Sequence, residues 1–188
     1  PSSVELIEEC AFEFCSNLDT VEILPNSQLK EIKFYAFAYT SIGKISIPKN
    51  TKKIGIGCFY QSRLIQVELP KNSELESIES YSFYSSLIDY FYVPASVKYI
   101  DSNAFYYCRT LEISKDSKYI KFLSFSIKSI ENLLIFSQQV EFEERWNGNI
   151  STLNNIELSK SITQYKYIDG KYLMKKSNPD SDVYDILL

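Results

Sequence analysis

The chain has 188 residues, a formal net charge of −4, 45% hydrophobic residues and no histidine. The acidic balance argues against a nucleic-acid partner, because phosphate neutralisation supplies most of the affinity of such binders. The missing histidine removes serine–histidine and cysteine–histidine nucleophile pairs, histidine-ligated zinc and any imidazole base working near neutral pH.

With 15 Tyr and 12 Phe the chain has enough apolar surface for a sizeable core. Its uncharged apolar runs fall far short of the ~20 residues that span a bilayer, so no membrane insertion is expected of this segment. A start at Pro1 is expected of a piece of a longer protein.

Internal repeats organise everything else. Phe12, Phe37, Phe59, Phe83 and Phe105 recur at spacings of 25, 22, 24 and 22 residues. An isoleucine stands five residues before each: Ile7, Ile32, Ile54, Ile78 and Ile100. Small residues stand directly before them (Ala11, Ala36, Cys58, Ser82, Ala104) and three after (Cys15, Thr40, Ser62, Ser86, Cys108). Each unit then enters an alternating apolar stretch, which four times ends at proline: Pro25, Pro48, Pro70 and Pro94. Alternation with β-branched residues predicts a short strand, and proline closes it because it cannot donate a ladder hydrogen bond.

A fifth strand is expected at Leu111-Glu112-Ile113, and a sixth unit at Phe125, with Ile120 five before it and Leu133-Leu134-Ile135 as its strand. A degenerate seventh retains Leu153 to Leu158, with Trp146 in the aromatic layer. A unit of this length cannot bury its apolar columns alone, so stacking must bury them against neighbours. The expected fold is a repeat solenoid over residues 1–158, about 29 Å long at ~4.8 Å per strand. Residues 159–188 change character. Gln164 to Ile168, Asp169-Gly170 and Lys171 to Met174 predict a β-hairpin by the Asp-Gly rule. This tail either caps the stack or opens a further array.

The pattern Ile-x4-Phe with a small residue before the aromatic, Cys or Ser three after it, then L-x-x-V-x-L-P, resembles the BspA-type leucine-rich repeat. Ser77 to Leu87 and Val97 to Cys108 carry it most clearly. The resemblance implies a right-handed leucine-rich-repeat coil stack, with a parallel sheet on the concave face and a mostly irregular or short-helical convex side. It also implies a surface or secreted protein of the kind found in bacteria and parasitic protists, engaged in adhesion or host contact. Alternatives of another class are an intracellular scaffold and a structural spacer.

On such a sheet the outward column is Glu22, Ser46, Glu68, Tyr92, Glu112, Leu134 and Glu157, beside Thr20, Lys44, Gln66, Tyr90, Thr110, Asn132 and Asn155. Four glutamates in the first column make either a solvated face or a strip for a protein ligand with a basic surface. Tyr90 and Tyr92 interrupt it with groups typical of binding hot spots, or simply pack on their neighbours. The expected protein-binding residues are therefore Glu22, Glu68, Tyr90, Tyr92, Glu112 and Leu134. Tyrosines elsewhere, such as Tyr106 and Tyr107, carry no separate reading.

No catalytic constellation, cofactor or metal site is expected. Glu141, Glu143 and Glu144 read as a solvated run, and Gly55 and Gly57 lie inside a repeat. Cys15, Cys58 and Cys108 occupy small-residue columns and are expected as free thiols; Cys10 with Cys15 is the one pair within reach of each other. The sequon Asn149-Ile150-Ser151 matters only in a secretory pathway.

Overall fold

The isoleucine column proves to be a sheet in its own right. The computed structural model describes residues 1–123, 130–143, 155–168, 172–183 and 186–187. Seven short strands pair in parallel, in the order β1 (Leu6–Ile7), β2 (Glu31–Ile32), β4 (Lys53–Ile54), β6 (Ser77–Ile78), β8 (Tyr99–Ile100), β10 (Ile120–Phe122) and β12 (Val140–Phe142). Their register sets Ile7 against Ile32, Ile32 against Ile54, Ile54 against Ile78 and Ile78 against Ile100.

The proline-terminated stretches form further parallel ladders: β3 (Lys44–Ser46) with β5 (Gln66–Glu68), and β7 (Tyr90–Val93), β9 (Thr110–Ile113), β11 (Asn132–Ile135) and β13 (Asn155–Leu158) in that order. The chain is thus a parallel β-solenoid with sheet on two sides of its coils from β3 onward, where a single sheet was expected. Val21 to Leu24 form no strand.

Between the two ladders lies the core. Ile32, Ile54, Ile78 and Ile100 are buried, as are Phe37, Phe59, Phe83 and Phe105. The phenylalanine rings stack from coil to coil at 5.1 to 5.5 Å between centroids, starting from Phe12 on Phe37. Ala36, Cys58, Ser82 and Ala104 sit buried beside them, where a larger side chain would push the coils apart. Two polar members of the plus-three column bond their own turn: Thr40 Oγ1 donates to Phe37 O at 2.9 Å and Ser86 Oγ to Phe83 O at 2.8 Å, whereas the buried Ser62 Oγ meets no partner among the described residues.

The sixth unit departs from its expected register. Phe122, not Ile120, lies opposite Ile100, and Phe122 stacks on Phe142 at 5.1 Å. This strand runs to three residues, so Ile120 and Phe122, two positions apart, both face inward and both are buried. Phe125 and Trp146 lie outside the described residues, as does the sequon.

No helix occurs among the described residues, so of the two forms expected on the convex side, irregular and short-helical, the irregular one is found. The reason is a backbone alternation on either side of each core phenylalanine. Two residues before it, φ is positive at Cys10, Tyr35, Gly57, Tyr81 and Asn103; two residues after it, φ is positive at Phe14, Tyr39, Gln61, Ser85 and Tyr107. A left-handed residue every fourth position interrupts any right-handed helix.

This alternation turns every second N–H toward the next coil. Phe12 donates to Ala36 O, Phe37 to Cys58 O, Phe59 to Ser82 O and Phe83 to Ala104 O, each at 2.8 to 2.9 Å. The left-handed residues do the same, for example Tyr35 to Ile56 O at 3.0 Å and Tyr39 to Tyr60 O at 2.9 Å. A non-glycine residue in this region costs about 1–2 kcal/mol. A net hydrogen bond contributes about 0.5–1.5 kcal/mol and a ring pair a similar amount, so the two sides nearly balance.

At the far end β14 (Tyr165–Ile168), β15 (Tyr172–Lys175) and β16 (Ile186–Leu187) form an antiparallel sheet. The Asp169-Gly170 turn between its first two strands lies outside the described residues. Tyr165 packs edge-on against Phe142 at 5.3 Å, and Gln164 Nε2 donates to Val140 O at 2.8 Å, so the start of the tail lies against β12. At the other end Val4, Leu6, Phe12 and Phe14 remain exposed.

The buried columns should set stability. Phe59→Ala and Ile54→Ala are each expected to lower unfolding free energy by about 2–5 kcal/mol in urea titration. Gly57→Ala should lower it by about 1–2 kcal/mol, because φ there is 59° and the new methyl would fall on the Tyr35 ring. Unchanged midpoints for all three would contradict the interior assignment.

Candidate functional site

Strand alternation puts the expected site residues on one side of the second ladder. On β7, Phe91 and Val93 are buried while Tyr90 and Tyr92 are 53% and 43% exposed. Register then aligns Tyr92 with Glu112, Glu112 with Leu134 and Leu134 with Glu157; beside them run Tyr90, Thr110, Asn132 and Asn155. Both outward columns thus fall as alternation predicts across these four strands. Tyr90, Tyr92, Glu112 and Leu134 are brought together.

Glu68 and Glu22 are not. Glu68 aligns with Ser46 on the separate β3–β5 ladder, which is not strand-paired to β7. Its carboxylate turns to the preceding coil, accepting from Lys44 Nζ at 2.7 Å and Ser46 Oγ at 2.6 Å. The Lys44 hydrogen bond, helped by Ser46, holds its carboxyl below the ordinary carboxylate range. Glu22 is exposed and belongs to no strand.

The glutamate column is therefore less acidic in effect than its residue count suggests. Glu112 accepts a 2.8 Å hydrogen bond from the Tyr90 hydroxyl. Desolvation, with that bond adding to it, pushes the Tyr90 hydroxyl up to about 12. The phenol stays a donor throughout the physiological range, and it fixes the carboxylate against the aromatic pair. On the neighbouring edge Arg109 grips Glu131 with two 3.1 Å bonds and reaches Asp89 at 3.5 Å.

Beside this face opens a cleft of about 790 Å³, lined by Tyr92, Glu112, Lys115, Phe136, Leu158 and Lys160 among others. Phe136, Lys115 and Lys160 have no place in the outward columns and were not anticipated from them. A cue existed in the repeat itself: Phe136 stands directly after its strand, where Pro48, Pro70 and Pro94 stand in earlier coils. An aromatic replacing the closing proline adds a wall to the cleft, and two lysines make its rim mixed in charge.

Of the carboxylate run, Glu141 is engaged by Lys121 and by the Tyr119 hydroxyl at 2.7 Å, which together draw its pKa down, while Glu144 lies outside the described residues. All four thiols are free, with Cys10 and Cys15 exposed and Cys58 and Cys108 buried. Burial raises the Cys58 thiol well above its ordinary range and pushes Cys108 up to about 12. A thiol reagent at pH 8 should therefore count two cysteines in the folded protein and four after unfolding without reductant; two after unfolding would reveal a disulfide.

The sequence profile of the BspA type leucine rich repeat region matches in six copies, over residues 1–112 and 76–169. Among solved structures, the pneumococcal vaccine antigen PcpA matches with a TM-score of 0.62 at 21% identity, over 82% of this chain and 42% of that one. A leucine-rich repeat protein from Bacteroides ovatus matches with a TM-score of 0.52 at 17% identity, over 87% of this chain and 60% of that one. The chain thus spans less than two thirds of either structure, and at these identities the likeness is one of fold. No curated protein matches.

Proposed function

Because the chain belongs to the BspA-type leucine-rich-repeat family, we propose that it is a non-enzymatic protein-binding module of a cell-surface or secreted protein. We place its binding face on the second ladder. The observation that carries this reading is the exposed pair Tyr90 and Tyr92 on a rigid four-stranded ladder, with Glu112 held by Tyr90 and a cleft opening beside Tyr92. Tyrosine offers large contact area and a polar tip at low entropy cost, and a ladder of paired strands holds both rings in place before a partner arrives.

Leu134 extends the apolar centre, Glu112 and Glu157 provide its acidic edge, and Lys115 and Lys160 its basic one. Glu68 and Glu22 then act at a distance, by steering, and Glu68 only weakly because Lys44 neutralises it. The resemblance to a vaccine antigen in fold supports a place at the cell surface, where host proteins are the available ligands.

A displayed peptide library panned on the intact chain supplies binders for the test. Tyr92→Ala is expected to weaken the selected binders by about ten-fold or more, as a hot-spot truncation does. Glu68→Lys should change mainly association rate and salt dependence, and Lys98→Glu, next to the first ladder, should change neither. Undiminished binding by Tyr92→Ala with loss in Lys98→Glu would move the site to the other side of the coil. Failure to select any binder would favour a spacer.

A further inference from the structure

The left-handed turns have a second consequence, on a different side of the coil from the strand face. Side chains at minus two, plus one and plus two around each core phenylalanine point away from the phenylalanine column, and many are tyrosine. Tyr60, Tyr84 and Tyr106 stack along the solenoid at 5.0 and 4.7 Å, with ring planes 6° and 21° apart. Tyr35, Tyr39 and Tyr81 join them at 5.5, 5.5 and 6.4 Å from Tyr60. The result is one continuous ribbon of rings across four coils. None of these tyrosines is fully buried, and Tyr81 is 38% exposed.

Three properties of this ribbon define what fits it. First, it is nearly free of acidic and basic residues: of the residues at these three positions in the first five coils, only Glu13, at one end, is one. Second, the rings of the central column cover one another's faces, so a ligand meets ring edges and hydroxyls, not open π faces. Third, those hydroxyls are donors without acceptors. Tyr90 and Tyr119 donate to carboxylates elsewhere, whereas the hydroxyls of Tyr39, Tyr60, Tyr81, Tyr84 and Tyr106 meet no acceptor among the described residues.

A proline-rich strand is the complement of such a surface. Proline has no N–H, so a run of it presents only carbonyl acceptors, and its polyproline II helix leaves them all unbonded. It is neutral, and its ordering entropy is already low. It also repeats every three residues, about 9.3 Å, which is close to two rungs of the solenoid at about 9.6 Å. A glycan would instead seek open ring faces, which the central column does not offer.

We propose that the tyrosine ribbon is a docking surface for proline-rich segments in the polyproline II conformation, lying along the solenoid axis with their carbonyls on the tyrosine hydroxyls. This surface is independent of the strand face around Tyr92, and either can stand without the other.

The test is calorimetric titration of the intact chain with blocked decaproline, against a glycine-serine decamer of equal length. Decaproline should bind and the flexible decamer should not. Tyr84→Ala should weaken decaproline by at least about five-fold, as should Tyr81→Asn, which places at this left-handed position the residue that Asn103 supplies one coil later. Tyr92→Ala, on the strand face, should leave the affinity unchanged.

The proposal is overturned by no binding to the folded wild type at millimolar decaproline, or by equal binding in both ribbon variants. It is equally overturned by loss in Tyr92→Ala alone, by preference for a neutral β-linked hexasaccharide over decaproline, or by a tyrosine-dependent dimer that decaproline does not dissociate.

Discussion

A coil of 22 to 25 residues has no interior of its own, and everything in this structure follows from how one coil bonds to the next. The contact is made three ways at once. Isoleucine strands pair in register, phenylalanine rings stack between them, and alternate backbone N–H groups of the turn donate across to the following coil. Each contact repeats at the strand spacing, so the three reinforce one another only while the repeat length is held. The surface ion pairs that cross coils, such as the exposed Lys30 with Glu5 and the half-buried Lys53 with Glu79, keep the same register but individually add little.

The turn geometry links this stacking to the surface. Placing tyrosine in the left-handed region is unfavourable in isolation, and it persists because the surrounding coils determine the conformation. Where the chain uses glycine instead, at Gly57, the Tyr35 ring occupies the vacated space and reaches Tyr60. Backbone strain and the aromatic ribbon are therefore one feature seen from two sides. The strand face is simpler: alternation alone exposes Tyr90 and Tyr92 while burying Phe91 and Val93.

The repeat period and the interior columns were legible because they rest on residue type at fixed spacing. Ile54, Phe59 and Cys58 declare themselves in the sequence. The outward columns on β7, β9, β11 and β13 were legible for the same reason. Three things were not. The isoleucine positions form strands of only two residues, too short to show an alternation. The sixth unit offers both Ile120 and Phe122 as inward residues, and which of them lies opposite Ile100 depends on neighbouring coils. The tyrosine ribbon depends on positive φ at residues other than glycine, for which no residue pattern stands as a marker; tyrosines spread over minus two, plus one and plus two converge only once the turn is folded.

The most direct measurement is amide hydrogen exchange on the native chain at residue resolution. If coils are held by bonds to their neighbours, the N–H groups of Phe37, Phe59 and Phe83 should exchange slowest and together, through cooperative opening. Phe12 in the exposed first coil should exchange sooner, and Lys71 in the exposed turn after Pro70 sooner still. A Phe59 amide that exchanges as fast as that of Lys71 would contradict the account.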